Sequence, residues 1–352
     1  MRSLGAVVLG ISTYRYTAAV DTAPPLEYAV DDAEAFVRYL RTCWPSTNDA
    51  EVCLIEEAKS DLEALRKAFA EIAANGPYEL FLVYLSGHGT TSTLKPGFIL
   101  QPGTGSELSL ATASELDRLL SQVNAKRTAL ILDCCFAEAV VTEMRFFKGL
   151  EGSECRIFIG SSRANQLTWE DDQVKHGVFT AHLIDMLNSG NALRPTIDPD
   201  RVQVDAELFP FLCDQVPLYV LEHKGAEQEP VKGGVSSSAM TLPTTRLARR
   251  IQQRTALGTA LRRIRQIATA AVISVLASLS LIYVLVYYAE IDRNGEIVLR
   301  NGTRWLEPAF RYLPTLRTRT GLDASMLVPD TQSRYASSTW TALVVVFAKA
   351  KS

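Results

Sequence analysis

The chain has 352 residues, enough for one α/β domain of about 240 residues with appendages. Its net charge of −3 is unremarkable, yet it hides an asymmetry: an acidic N-terminal region is followed by a stretch, Val231 to Ala289, without one acidic residue. The six cysteines (Cys43, Cys53, Cys134, Cys135, Cys155 and Cys213) follow no framework spacing, which argues against a disulfide scaffold and for a reducing compartment.

In chain order, the apolar run Leu4–Ile11 follows a single arginine and has no convincing cleavage site, so it reads as an internal strand and not as a signal peptide. LFLVYLSGHG (80–89) and TALILDCCF (128–136) read as strands buried on both faces of a parallel sheet. Each ends in a reactive side chain. The first delivers His88 between Gly87 and Gly89, and the second delivers Cys134 and Cys135 just after Asp133. In open α/β sheets ligands bind beyond the carboxyl ends of the strands, so this arrangement sets an imidazole beside a thiol in a cleft. That pair is the minimum machinery for acyl transfer through a cysteine nucleophile. Adjacent cysteines and unpatterned histidines do not match zinc spacing, and neither a metal nor a cofactor is expected.

These strings resemble the clan of caspases, metacaspases and their bacterial relatives. The resemblance spans roughly residues 3–240 and extends to GAVVLGISTYRY (5–16), PPLEYAVDDAEAFVRYL (24–40), RIFIGSSRANQLTWED (156–171), HGVFTAHLIDML (176–187) and QEPVKGG (228–234). It implies an α/β/α three-layer sandwich with a mainly parallel sheet and a Cys-His dyad of Cys135 and His88. It also implies an oxyanion hole formed by the backbone N–H groups of Gly89 and Cys135. Cys134 then stands where relatives accept small residues. The positions matching the S1 pocket are Asp32, Ser86 and Asp133, whose acidity implies a protein or peptide substrate with a basic P1 residue. Relatives commonly follow the nucleophile with a small, flexible tripeptide, whereas this chain reads Phe136-Ala137-Glu138. Relatives also often cut themselves between the two halves of the fold, and the loop from about Ala137 to Glu154 offers Arg145 and Lys148 as basic P1 candidates. A calcium requirement is left open.

Beyond the resemblance, Gly233–Met240 and the Leu242–Thr245 stretch read as a linker. Residues 241–265 interleave Arg246, Arg249, Arg250, Arg254, Arg262, Arg263 and Arg265 with Leu247, Ile251, Leu257, Leu261 and Ile264, the pattern of a basic amphipathic helix on anionic lipid; nucleic acid is the less favoured partner for it. Residues 267–288 hold no charge, and at 1.5 Å per residue they reach about 33 Å, enough to cross a hydrocarbon core. A single transmembrane helix is therefore expected over 266–289, with Tyr283, Tyr287 and Tyr288 at an interface. The arginines before it place the N-terminal domain in the cytoplasm, on the inner face of a bacterial cytoplasmic membrane, and residues 290–352 outside. In that tail, 296–302 and 343–348 have strand character. The expected function is a membrane-anchored cysteine endopeptidase cleaving after Arg or Lys, a signalling or defence effector; the alternative is an inactive caspase-fold scaffold.

Overall fold

The computed structural model describes residues 1–14, 25–45, 51–91, 95–102, 109–189, 198, 200–285, 287–291, 294, 296–301 and 317–323. The chain divides into two units, residues 1–254 and 255–352.

In the first unit, β1 (Arg2–Gly10) leads to α1 (Ala29–Cys43), β2 (Val52–Ile55), α2 (Leu62–Asn75) and β3 (Tyr78–Ser86). A small antiparallel sheet of β4 (Gly89–Thr90), β5 (Gly97–Leu100) and β6 (Ser109–Thr112) precedes α3 (Ala113–Ser121) and β7 (Ala125–Asp133). There follow α4 (Ala137–Thr142), β8 (Cys155–Gly160), the short strands β9 (Glu170–Asp171) and β10 (His176–Gly177), α5 (Val178–Ser189), β11 (Arg201–Gln203), α6 (Phe209–Lys224), β12 (Val231–Ser236) and β13 (Thr241–Pro243).

Six strands form the central sheet in the order β12-β8-β7-β3-β1-β2, parallel except for β12, which runs antiparallel to β8. The middle strands are continuous apolar runs because side chains on both faces are covered. Leu80, Leu82 and Tyr84 of β3 join one core with Phe36 of α1, Leu183 of α5 and Val216 of α6. Their alternates Phe81, Val83 and Leu85 join a second core with Phe69 of α2, Leu119 of α3 and Val140 of α4. This is the expected three-layer arrangement. The register pairs Gly10 with Ser86 and Ser86 with Asp133, so β1, β3 and β7 end side by side.

One expectation is corrected. The stretch 233–245 is not a linker: β12 forms a sheet edge, β13 pairs with β11, and Met240 and Leu242 are buried. Its small residues suit close strand packing, since a Cβ on Gly233 would press on the Phe158 ring at 2.5 Å. The candidates for autoprocessing, Arg145 and Lys148, flank a packed stretch. Arg145 and Lys148 are themselves exposed, but Phe146 and Phe147 between them are buried in the second core, and the N–H groups of Arg145 and Phe146 donate to Asp117 at 2.7 and 3.0 Å. Buried Arg156 clamps the segment from beneath, stacked 4.2 Å over the Phe146 ring and donating to the Gly149 carbonyl at 3.2 Å.

The basic stretch and the uncharged run belong to one helix, α7 (Thr245–Leu285), because no proline or helix-breaking turn separates them. The helix ends before the expected position 289, and Tyr287–Ile291 form β14 instead, which pairs with β15 (Glu296–Asn301) and through it with β16 (Arg317–Asp323). Of the tail segments expected as strands, 296–302 coincides with β15, and 343–348 lies outside the described residues. Among the described residues, which leave out only position 286 of the run 267–288, no helix is long and apolar enough to cross a membrane.

Candidate active site

The carboxyl ends of β3 and β7 and the loops that follow open onto a cavity of about 450 Å³. Asp32, Ser86, His88, Gly89, Asp133 and Cys135 all line it, so residues far apart in the chain share one space. Arg145 and Lys148 do not line it. No disulfide forms among the described residues, and none of their His, Cys, Asp and Glu side chains gather into a metal site.

Cys135 follows the last residue of β7 by two positions. Alternation along a strand sends neighbouring side chains to opposite faces. Cys134 is accordingly buried in the second core, with Ser162 Oγ donating to its carbonyl at 3.0 Å, while Cys135 is only partly buried. The next residue, Phe136, has φ +58°, a left-handed conformation that a bulky side chain seldom adopts. Its N–H donates to the Gln166 carbonyl at 2.9 Å, which holds the turn from strand to α4. The turn does without a glycine because this bond fixes it. Burial pushes the Cys135 thiol above its ordinary pKa; the Thr168 N–H, donating to Sγ at 3.4 Å, works the other way by favouring the thiolate.

His88 is held by a residue the sequence did not single out. Its backbone N–H donates to the Tyr14 hydroxyl at 2.9 Å, and the two rings lie 5.2 Å apart. Tyr14 is partly buried, and loss of solvent around its hydroxyl raises it far above the ordinary range, so it stays a neutral phenol. Gly89 must be glycine: a Cβ there would stand 2.0 Å from the Cys135 carbonyl oxygen. The two strand-end loops thus touch backbone to backbone.

The acidic part of the cavity is built from three elements. Asp32, in the first turn of α1, accepts from the Gly177 N–H on both oxygens, at 3.3 and 3.1 Å, and pairs with His176 Nδ1 at 2.6 Å. Asp133 Oδ2 accepts from Thr180 Oγ1 at 2.6 Å, while the buried Oδ1 finds no partner among the described residues. A Cβ on Gly177 would lie 2.9 Å from an oxygen of each carboxylate, so both acids face the same small space. Burial raises the Asp32 carboxyl above the usual range, against the lowering effect of His176; burial, then the charge of Asp32, raises Asp133. Glu170 adds a third acid to the lining and accepts from the N–H groups of Glu27 and Tyr28 at 2.8 and 2.9 Å, fastening the entry to α1. Leu26, Leu167 and Trp169 supply the apolar lining. His176 and Thr180 lay within a recognised string, but nothing in the sequence pointed to their partners.

No curated protein matches the chain. Among solved structures, a Geobacter sulfurreducens protein matches with 15% identity and a TM-score of 0.43, over 67% of this chain and 94% of its own. Caspase-1 from Spodoptera frugiperda matches with 12% identity and a TM-score of 0.42, over 68% and 88%. A family model for the caspase domain, peptidase family C14, matches residues 4–223. With that match covering more than half of its length, and with the mainly parallel α/β sheet described above, the chain belongs to the caspase-domain family.

Proposed function

We propose that this protein is a cysteine endopeptidase that cleaves after arginine or lysine and is anchored to a membrane by its C-terminal helix. The observation that carries the reading is the single cavity lined by an imidazole, a thiol and two buried carboxylates. In this mechanism Cys135 Sγ attacks the scissile carbonyl carbon as His88 takes the thiol proton. A resting thiol raised by burial makes that proton transfer necessary at the moment of attack. His88 then protonates the departing amine, and a water activated by His88 hydrolyses the thioester. The N–H groups of Gly89 and Cys135 stabilise the oxyanion, usually the largest single contribution to such a barrier. Two buried carboxylates with raised pKa values are costly until a cation arrives, which favours a basic P1 residue.

The anchor rests on composition and exposure. Every residue from 261 to 278 is exposed, including Val272, Ile273, Val275 and Leu276, and after Arg265 this part of α7 carries no charge on any face. Such a helix is covered by lipid or by other helices. The arginines ahead of it favour a cytoplasmic catalytic domain.

The test is turnover of fluorogenic peptides with Arg, Lys or Asp at P1 by the detergent-solubilised full chain, beside its Cys135→Ala variant. Cleavage after Arg and Lys that the variant lacks is expected; efficient cleavage after Asp would refute the pocket reading, and no cleavage of any peptide would favour the inactive scaffold. Resistance of the full chain to carbonate extraction tests the anchor, and a reporter fused after Ser352 tests the topology.

A further inference from the structure

The two acids of the pocket are not equivalent. Asp32 is already engaged on both oxygens by the Gly177 N–H and on Oδ1 by His176 Nδ1 as well. Asp133 keeps one buried oxygen without a partner among the described residues. Buried acceptors are nearly always satisfied, so an orphaned carboxylate oxygen in a cavity wall marks where a donor is missing. From this asymmetry we infer that His176 is a positioning residue of the substrate pocket, pinning Asp32 so that Asp133 Oδ1 becomes the acceptor that reads the P1 cation. The inference rests on the basic-P1 reading above.

The frame around His176 suits that task. β9 and β10 pair His176 with Asp171 and Gly177 with Glu170. Asp171 is tied to Lys224 Nζ of α6 at 2.9 Å, and Glu170 to the backbone ahead of α1. The hairpin is thereby fixed to two helices, and the imidazole reaches Asp32 from a strand rather than from a mobile loop. Nδ1–H donates in the imidazolium and in one neutral tautomer alike, so the contact is one of hydrogen-bond donation first. It also favours the ionised form of Asp32 against the burial that opposes it. Without this donor, Asp32 would be a half-satisfied buried carboxylate beside a second one. It would then take the P1 cation or a proton for itself, and the cation would sit displaced from the position Asp133 sets.

The experiment uses the detergent-solubilised full chain and four variants: His176→Leu, His176→Gln, Asp133→Asn and Asp32→Asn. For Arg and Lys peptides, His176→Leu should raise KM about tenfold with kcat within about twofold, the signature of lost binding made equally in ground and transition states. His176→Gln, whose amide can still donate, should return KM to within about threefold of wild type. Asp133→Asn should cost about a hundredfold in kcat/KM, and Asp32→Asn clearly less. Agmatine, a soluble guanidinium, provides a readout independent of turnover. Its affinity by calorimetry should fall in His176→Leu and recover in His176→Gln, and thermal melting separates these effects from loss of folding. Normal cleavage after Arg and Lys with KM and agmatine affinity unmoved in His176→Leu overturns the role of His176 alone. Equal impairment of both His176 variants, with kcat falling in parallel, reduces the residue to a structural one. A wild type that neither cleaves after basic residues nor binds agmatine overturns the pocket reading, and this inference with it.

Discussion

Gly89→Ala is the most direct probe of how closely the loops after β3 and β7 approach. The added methyl would stand 2.0 Å from the Cys135 carbonyl oxygen and 3.2 Å from Cys134 Sγ. Carbon atoms in contact keep about 3.5 Å, so the Cys135 carbonyl must retreat by more than about 1 Å. That carbonyl belongs to the peptide joining Cys135 to Phe136, whose backbone is already left-handed and has little freedom to turn further. The Cys135 N–H and Sγ move with it. A displacement of about 1 Å at reacting atoms costs about a hundredfold in rate, and misplacing one oxyanion donor costs about 10²–10³-fold in kcat. Overpacking adds a stability loss of about 1–3 kcal/mol. The assay compares kcat and KM for an Arg peptide with thermal melting. The control is Gly149→Ala, where a Cβ meets nothing within 4 Å and φ is negative. Gly89→Ala should lose kcat with KM little changed, and Gly149→Ala should behave as wild type. Wild-type kcat in Gly89→Ala would refute the backbone contact and the oxyanion assignment built on it.

Cys135→Ala should abolish turnover, whereas Cys134→Ala should keep most of it and cost about 1 kcal/mol of stability for a lost buried sulfur; the reverse pattern in a turnover assay would reassign the nucleophile. Because burial raises the Asp32 and Asp133 carboxyls, the folded chain holds protons that the unfolded chain releases above its ordinary pKa of about 4. Urea unfolding should therefore show stability falling as pH rises through that window, KM for a basic peptide should fall with it as the acids ionise, and Asp133→Asn should flatten both profiles. Arg156→Met removes the donor to the Phe146 and Gly149 carbonyls and the stack on Phe146, leaving buried acceptors unpaired at a cost of about 1–3 kcal/mol each. Limited trypsinolysis should then cut after Arg145 or Lys148 far faster than in wild type, and an unchanged rate would show that Arg156 does not hold the segment.

The central strands were legible because parallel strands covered on both faces become unbroken apolar runs, and β3 and β7 end at Ser86 and Asp133, each two residues before His88 and Cys135. The site residues those runs deliver do share a cavity. What surrounds them was not legible, because hydrogen bonds across the fold leave no periodicity in the chain. Tyr14 reaches His88 over a separation of 74 residues, and His176 reaches Asp32 over 144. Composition misled in one place. Gly233–Met240 looks like a flexible linker because it is small and polar, but its glycines serve a sheet edge packed against Phe158. The segment around Arg145 carries two phenylalanines that complete a core, and a buried arginine that the sequence did not point to holds them.

The way the chain leaves the first unit has a mechanical consequence. Tyr39 of α1 donates its hydroxyl to the Pro243 carbonyl at 2.9 Å, just before α7 begins. Asp32 stands two turns earlier on the same 15-residue helix. A pull on the chain at residue 245 is therefore shared among the Thr245 bond to the Asn188 carbonyl, the Thr244 bond to the Asp200 carbonyl and α1, the helix that also carries Asp32. Force at this exit from the unit and the placement of Asp32 are thus coupled through one helix.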